Sequence, residues 1–311
     1  MTLAPIILFV YNRPDHTEKT LTALAQNDLA KHSTLYIYCD GAKKNASKSQ
    51  LENIEQTRKI VKSEKWKNDF EEIIITEQAQ NLGLADSILS GVNQVIRKYG
   101  KVIVLEDDIV TSKGFLKFMN ESLELYKEEE KVMHISGYMF PANLEKAIPN
   151  NEHTFFYRST SCWGWATWKD SWDKINTDTE FLLSELKSKK LLNEFDLDNT
   201  YKFSKQLELN ISGKIKTWAI KWYASVFLQN GLCLHPKKSL VQNIGSDNSG
   251  ANSPKTNYFW HNQLADTIEV KPMPIIENKQ VVEQMKVYYR KFKLSLSQKI
   301  INRLRLFRGT K

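Results

Sequence analysis

Cysteine is scarce in this sequence. Cys39, Cys162 and Cys233 are odd in number, far apart and without CxxC spacing, so neither a disulfide framework nor a zinc site is indicated and a reducing compartment fits best. Long apolar runs are missing as well: the opening MTLAPIILFVYNRPD has no basic leader, carries Pro5 and falls short of the roughly 20 apolar residues that cross a bilayer. It reads as a first buried strand. No internal repeat or low-complexity tract breaks the chain before its end. Acids are nearly absent from residues 281–311, where nine Lys or Arg face Glu283 alone, and that stretch accounts for the whole net charge of +8. The first 280 residues are therefore neutral overall, and no nucleic-acid partner is expected for the body. Finally, no Gly-rich loop bearing Lys or Arg follows the first apolar run, where YNRPDH stands instead; this weighs against a nucleotidyltransferase.

What is present is enough for a substantial core: 311 residues, 41% hydrophobic and 11% aromatic. The runs at 6–11, 34–39, 71–76 and 101–105 read as strands, and helical patterns lie between them. Between the last two runs, Leu84, Ile88, Leu89, Val92, Val95 and Ile96 recur at helical spacing and Gly100 ends the pattern. Repeated β-α-β predicts an α/β fold with a parallel sheet covered on both faces. Ligands of such sheets sit beyond the carboxyl ends of the strands, which draws attention to Asn12, Arg13 and Asp15, to Asp40 and Gly41, to Asn81 and Gly83, and to Glu106, Asp107 and Asp108. Three adjacent carboxylates after VIVL need water or a cation to offset their repulsion. Strand alternation would put Glu106 and Asp108 on one side and Asp107 on the other, and one or two carboxylates suffice for a divalent ion that also grips phosphate oxygens. Taken alone, the cluster reads equally well as a solvated strand end, Asp40 as a turn residue in DG, and Arg13 as a surface cation. The second half is less periodic, with a helix over GFLKFMNESLELY, a strand at VMHISG, and six of the eight tryptophans between 163 and 222.

The stretches IILFVYNRPDHTEKTL, YCDGAKK, NLGLADSI, VIVLEDDIVTSKGFLKFM and YRSTSCWGWATW, in that order, resemble the nucleotide-sugar-dependent glycosyltransferases of GT-A fold, in particular those related to N-acetylglucosaminyltransferase I and the bacterial family 2-like sugar transferases. The resemblance covers roughly residues 5–250. It implies a Rossmann-like nucleotide-binding sheet over residues 1–112 and a mixed acceptor-binding half over 113–280, while the basic composition of residues 281–311 sets them apart as a helical tail. It further implies that Asp108 chelates Mn²⁺ or Mg²⁺ on the donor diphosphate, and that Glu106 and Asp107 contact nucleotide and sugar. Asp40 would hold the base, Arg13 would lie beside the nucleotide with Tyr11 and Asn81, and Gly164 and Trp165 would wall the donor sugar and acceptor. Such an enzyme would pass a hexosyl or N-acetylhexosaminyl group, most simply from a UDP-sugar, to a glycan or lipid-linked glycan in the assembly of a bacterial surface polysaccharide or lipopolysaccharide.

One expected acid is absent. The general base of the related enzymes is an aspartate in a segment resembling TWAIKWYA, and this chain has Ala219 and Ile220 there. Asp247, in the polar loop NIGSDNSGANS, is the first candidate to replace it for an inverting reaction, with Asp170 second and Asp173 also near the acceptor motifs; the alternatives are a reaction that retains configuration, with the leaving phosphate as base, and a non-catalytic sugar-binding protein. That loop offers backbone N–H groups to a diphosphate. His134 and His235 read as structural. In the tail, Leu296, Ile300, Ile301, Leu304 and Phe307 repeat at helical spacing among basic residues, the pattern of a helix that lies on an anionic membrane; a helix docked on the body, or a tail bound to a partner protein, is the competing reading. The expected location is thus cytoplasmic, peripheral on the inner face of the cytoplasmic membrane.

Overall fold

The computed structural model describes residues 2–149, 151–247 and 263–290. Its first part runs β1 (Ile6–Val10), α1 (Pro14–Ala25), β2 (Thr34–Cys39), α2 (Lys48–Val61), β3 (Glu72–Glu77), α3 (Leu84–Tyr99) and β4 (Lys101–Glu106). The remainder is β5 (Ile109–Thr111), α4 (Phe115–Leu125), β6 (Val132–Ser136), β7 (Thr154–Tyr157), β8 (Trp165–Trp168), α5 (Lys169–Trp172), α6 (Thr179–Ser188), α7 (Leu192–Phe195), α8 (Ser204–Ile211), α9 (Ala219–Leu228), β9 (Leu232–Pro236), β10 (Val241–Asn243) and α10 (Lys279–Arg290). Eight strands form one sheet in the order β3-β2-β1-β4-β8-β6-β9-β7. The β3-β2-β1-β4 half is parallel, β8 runs antiparallel between β4 and β6, and β7 is antiparallel to β9. The α/β expectation holds, with a parallel first half and a mixed second half.

The alternation of side chains along buried strands explains why both faces are apolar. Ile6, Leu8, Leu35, Ile37, Ile103 and Leu105 face α1, α2 and α4. Ile7, Phe9, Tyr36, Tyr38, Val102 and Val104 face α3 and the tryptophans of the second half. Both layers leave the carboxyl ends of β1, β2 and β4 open, and there the functional residues collect.

The boundary expected at residue 280 falls inside α10, whose Val281, Met285, Tyr288 and Tyr289 are buried against Tyr157, Phe155 and Met139. Burial of such side chains stabilises by about 1.5–3 kcal/mol each, and Lys286 of this helix is ion-paired to Asp198 and Glu283. Asn278 caps α10 by accepting from Val281 N at 3.0 Å. Apolar contacts, not charge, place residues 279–290 in the body; the helical pattern from Leu296 to Phe307 lies outside the described residues. No helix among the described residues is long and apolar enough to cross a membrane.

Candidate functional site

The chain turns at Asp107 and Asp108, between β4 and β5, instead of continuing as a strand. The expected alternation therefore fails: Arg13 reaches both, Nη2 bonding Asp107 and Nη1 bonding Asp108 Oδ2 at 2.9 Å. The turn is braced from two sides, since Thr20 Oγ1 of α1 donates to the Asp107 carbonyl at 2.8 Å and Ile244 N donates to that of Asp108 at 2.9 Å. Gly245 closes over the pair. A Cβ there would lie 2.1 Å from Asp108 Oδ2 and 2.9 Å from Arg13 Nη1, too close for any side chain.

Three acids with one arginine leave this turn negative and poorly hydrated. Burial, then Asp108 and Asp107, raise the Glu106 carboxyl well above the usual range. Burial pushes Asp107 to about 6 although Arg13 pulls it down. Burial works against the Arg13 guanidinium, yet the charges of Asp107 and Asp108 outweigh it and raise its pKa. Asp108 Oδ1 is buried without a hydrogen-bond partner among the described residues, a costly position for a carboxylate oxygen unless a cation or donor reaches it. This donor set suits a hard divalent ion that takes one or two carboxylates and completes its shell with water and phosphate oxygens. It is not a closed protein cage, for no three His, Cys, Asp or Glu converge as one among the described residues.

Beside the turn lies a cavity of about 400 Å³ that gathers Tyr11, Arg13, Asp40, Asn81, Glu106 and Asp107. The sequence reading missed Phe9, Tyr38, Lys43, Gln50 and Ser87, which also line it; Lys43 alone had a signal, following Asp40 by three residues after β2. Asp40 is more tied than expected. Its Oδ1 accepts from Gly41 N and Leu82 N, and its Oδ2 from Asn81 Nδ2 and Gly83 N, all at 2.8–2.9 Å. These four donors fill the roughly four lone-pair sites of a carboxylate, so Asp40 organises the loop before α3 and has no free acceptor for a base.

Other expected residues separate clearly. Gly164 sits at the correct end of the sheet with φ +65, and a Cβ there would press on Val241, Phe115 and Leu105. Trp165 is no wall: it is 0% exposed, stacked between His134 at 5.4 Å and Trp218 at 5.1 Å. Trp168 pairs with Lys101 at the start of β4, so Asp170 and Asp173 lie at the opposite end of that strand from Glu106, roughly 17 Å away at strand rise. They cannot act at the acidic turn. Asp247 does lie beside it, 3.2 Å from His16 Nε2, which is also 3.3 Å from the Ile244 carbonyl. The rest of its loop, from 248, is outside the described residues. His134 and His235 are buried, the first accepting from Trp222 Nε1 at 3.0 Å and the second packed on Phe155; burial lowers both pKa values.

No family model and no curated protein matches the chain. Among solved structures, it is similar to residues 1–349 of TarS from S. aureus, at 14% identity and a TM-score of 0.42, over 76% of this chain and 59% of that one. It is also similar to the mannosyltransferase PcManGT from Pyrobaculum calidifontis, determined with GDP-Man and Mn²⁺, at 10% identity and a TM-score of 0.40, over 73% and 69%. TarS 1–349 with UDP aligns over 48% of this chain, at a TM-score of 0.31. Likeness this distant carries no argument about chemistry, which has to come from the site itself.

Proposed function

We propose that this chain is a glycosyltransferase that binds a nucleoside-diphosphate sugar, UDP-linked in the simplest case, against the acidic turn and passes the sugar to a glycan acceptor. The observation that carries this reading is the buried Asp107-Asp108 turn, with the half-buried Glu106 before it, at the carboxyl end of the parallel strands, with an Asp108 oxygen unpartnered among the described residues and a nucleotide-sized cavity alongside. A bound Mn²⁺ or Mg²⁺, held by Asp108 with Asp107 or Glu106 beside it, would supply the Lewis acid that neutralises the departing diphosphate. Arg13 holds two of these carboxylates in place and offers a fixed cation near the same charge. Tyr11, Asn81 and Lys43 line the space for the nucleotide. Asp247 is the acid best placed to take the acceptor's proton in an inverting reaction.

Residues 291–311 are proposed to hold the enzyme on an anionic membrane beside a lipid-linked surface-glycan acceptor. Truncation after Arg290 should then abolish salt-sensitive sedimentation with anionic vesicles; unchanged sedimentation would refute it. For the reaction, release of nucleoside diphosphate from UDP-, GDP- and CMP-sugars is compared with and without Mn²⁺. Slow, chelator-sensitive release from one of them supports the proposal. Release of pyrophosphate from a nucleoside triphosphate would favour a nucleotidyltransferase, and no turnover of either a non-catalytic sugar-binding protein.

A further inference from the structure

A second cavity, of about 230 Å³, lies near the acidic turn. The two are linked by the segment Ser161–Gly164: Cys162 and Trp163 line this cavity, while Gly164 packs on Leu105, the residue before Glu106. The charges of Glu106 and Asp108 reach the Cys162 thiol, adding to the burial that pushes its pKa up.

The lining has a definite chemistry. Its apolar part is a run of aromatic rings in mutual contact: Trp163 lies 6.5 Å from Phe140, Phe140 5.4 Å from Tyr289, Tyr289 5.9 Å from Phe203, and Phe203 5.1 Å from Tyr223. Its polar part is Ser159, Thr160, Ser161 and Gln206, and among the described residues no Asp, Glu, Lys, Arg or His lines it. Aromatic faces cover the C–H faces of a sugar ring, and neutral hydroxyl and amide groups exchange hydrogen bonds with its hydroxyls. A phosphate, uronate or ammonium group placed here would lose its hydration without gaining an opposite charge. The volume is below the roughly 300–1,000 Å³ of sites for drug-sized ligands, which suits a single ring.

We infer that this cavity seats the terminal ring of the acceptor, that the ring is an uncharged sugar, and that α10 builds one wall of the site through Tyr289. The inference rests on the glycosyltransferase reading for the word acceptor, but not for the chemistry of the ligand. It gives the docked C-terminal helix a part in substrate binding that its basic sequence does not suggest. Ala219 and Ile220, where an acid would be expected, line the same cavity and keep it neutral.

Saturation-transfer NMR on the full-length protein tests this with methyl N-acetylglucosaminide, methyl glucoside and methyl glucuronide, while binding of UDP with Mn²⁺ is followed by thermal shift in the same samples. At least one neutral glycoside should receive saturation on its ring protons and the glucuronide should not. Tyr289→Ala should weaken that signal by about fivefold or more, and so should Gln206→Ala, which keeps the buried rings and hence the fold. UDP binding should be unchanged in both. Equal saturation of the glucuronide, no saturation of any neutral glycoside, or a Gln206→Ala variant with undiminished signal would overturn the inference. Absence of UDP binding in the wild type, with neutral glycosides still bound, would instead sink the donor reading and leave the cavity's assignment standing.

Discussion

The two cavities near the acidic turn differ in kind. The cavity proposed for the donor is lined by Arg13, Lys43, Asp40, Glu106 and Asp107, and Arg13, Asp107 and Asp40 among them are fixed by charge-assisted bonds. The neighbouring one carries no charged side chain among the described residues and is shaped by rings. The difference shows where the free energy of each ligand would come from: on one side from charge neutralisation, steep in salt and pH, and on the other from contact area and neutral hydrogen bonds. An enzyme that expels a diphosphate and receives a neutral hydroxyl needs that asymmetry.

The comparison breaks most completely at Asp108. Asp108→Asn should leave the far-ultraviolet circular dichroism intact and lower metal-dependent transfer by roughly 10³-fold; near-normal activity across a Mn²⁺ titration would remove the charged side of the contrast. A smaller effect is expected at Asp247. If it is the base, Asp247→Asn lowers kcat by about 10²-fold with donor affinity unchanged, and a full-rate variant, or a product retaining the donor's anomeric configuration, would exclude it.

Charge on one side only also predicts how the ligand-free protein responds to pH. Asp107 sits near 6 and Glu106 is raised too, both above their unfolded values. Their contribution to stability is then fully present below about pH 4 and is lost as the pH rises through about 6. The melting temperature should climb on going from about pH 7.5 to pH 5.5, and Glu106→Gln should flatten that slope. A profile with the same slope in the variant would mean the turn is better hydrated than its burial implies. The smallest effect belongs to Trp165. Phe at this position removes a buried indole N–H that has no partner among the described residues, offsetting part of the lost contact, so Trp165→Phe should cost only about 1–2 kcal/mol and leave donor hydrolysis unchanged. A large loss of activity with the fold intact would restore it as a wall of the site.

The donor side was far more legible in the sequence than the acceptor side, for a physical reason. TLYIYC is β2 residue for residue, and the periodic stretch from Leu84 ends at Tyr99 before Gly100, because period-2 and period-3.6 patterns are local properties of the chain. In a parallel sheet those local elements deliver their carboxyl ends to one edge, so Arg13, Asn81 and the acids could be grouped in advance. What sequence could not show was the turn at Asp107, which lets Arg13 hold two acids, or the backbone donors to Asp40 from 42 and 43 residues away. The acceptor side depends on contacts distant in sequence: β8 inserted between β4 and β6, which buries Trp165 and carries Asp170 away, and α10 returning to place Tyr289 beside Phe140. Tryptophan density alone did not distinguish core rings such as Trp165 and Trp172 from the half-buried Trp163 of the cavity.

The most direct measurement of the central claim is the thermal shift of wild-type protein and Asp108→Asn with UDP, titrated with Mn²⁺. A ligand that binds only the folded state raises the melting point by mass action, about 2.7 kcal/mol of stabilisation at a hundredfold excess over Kd. The account predicts that UDP and Mn²⁺ together stabilise the wild type more than the sum of either alone, and that this excess vanishes in Asp108→Asn. An undiminished excess in the variant, or none in the wild type, would contradict it.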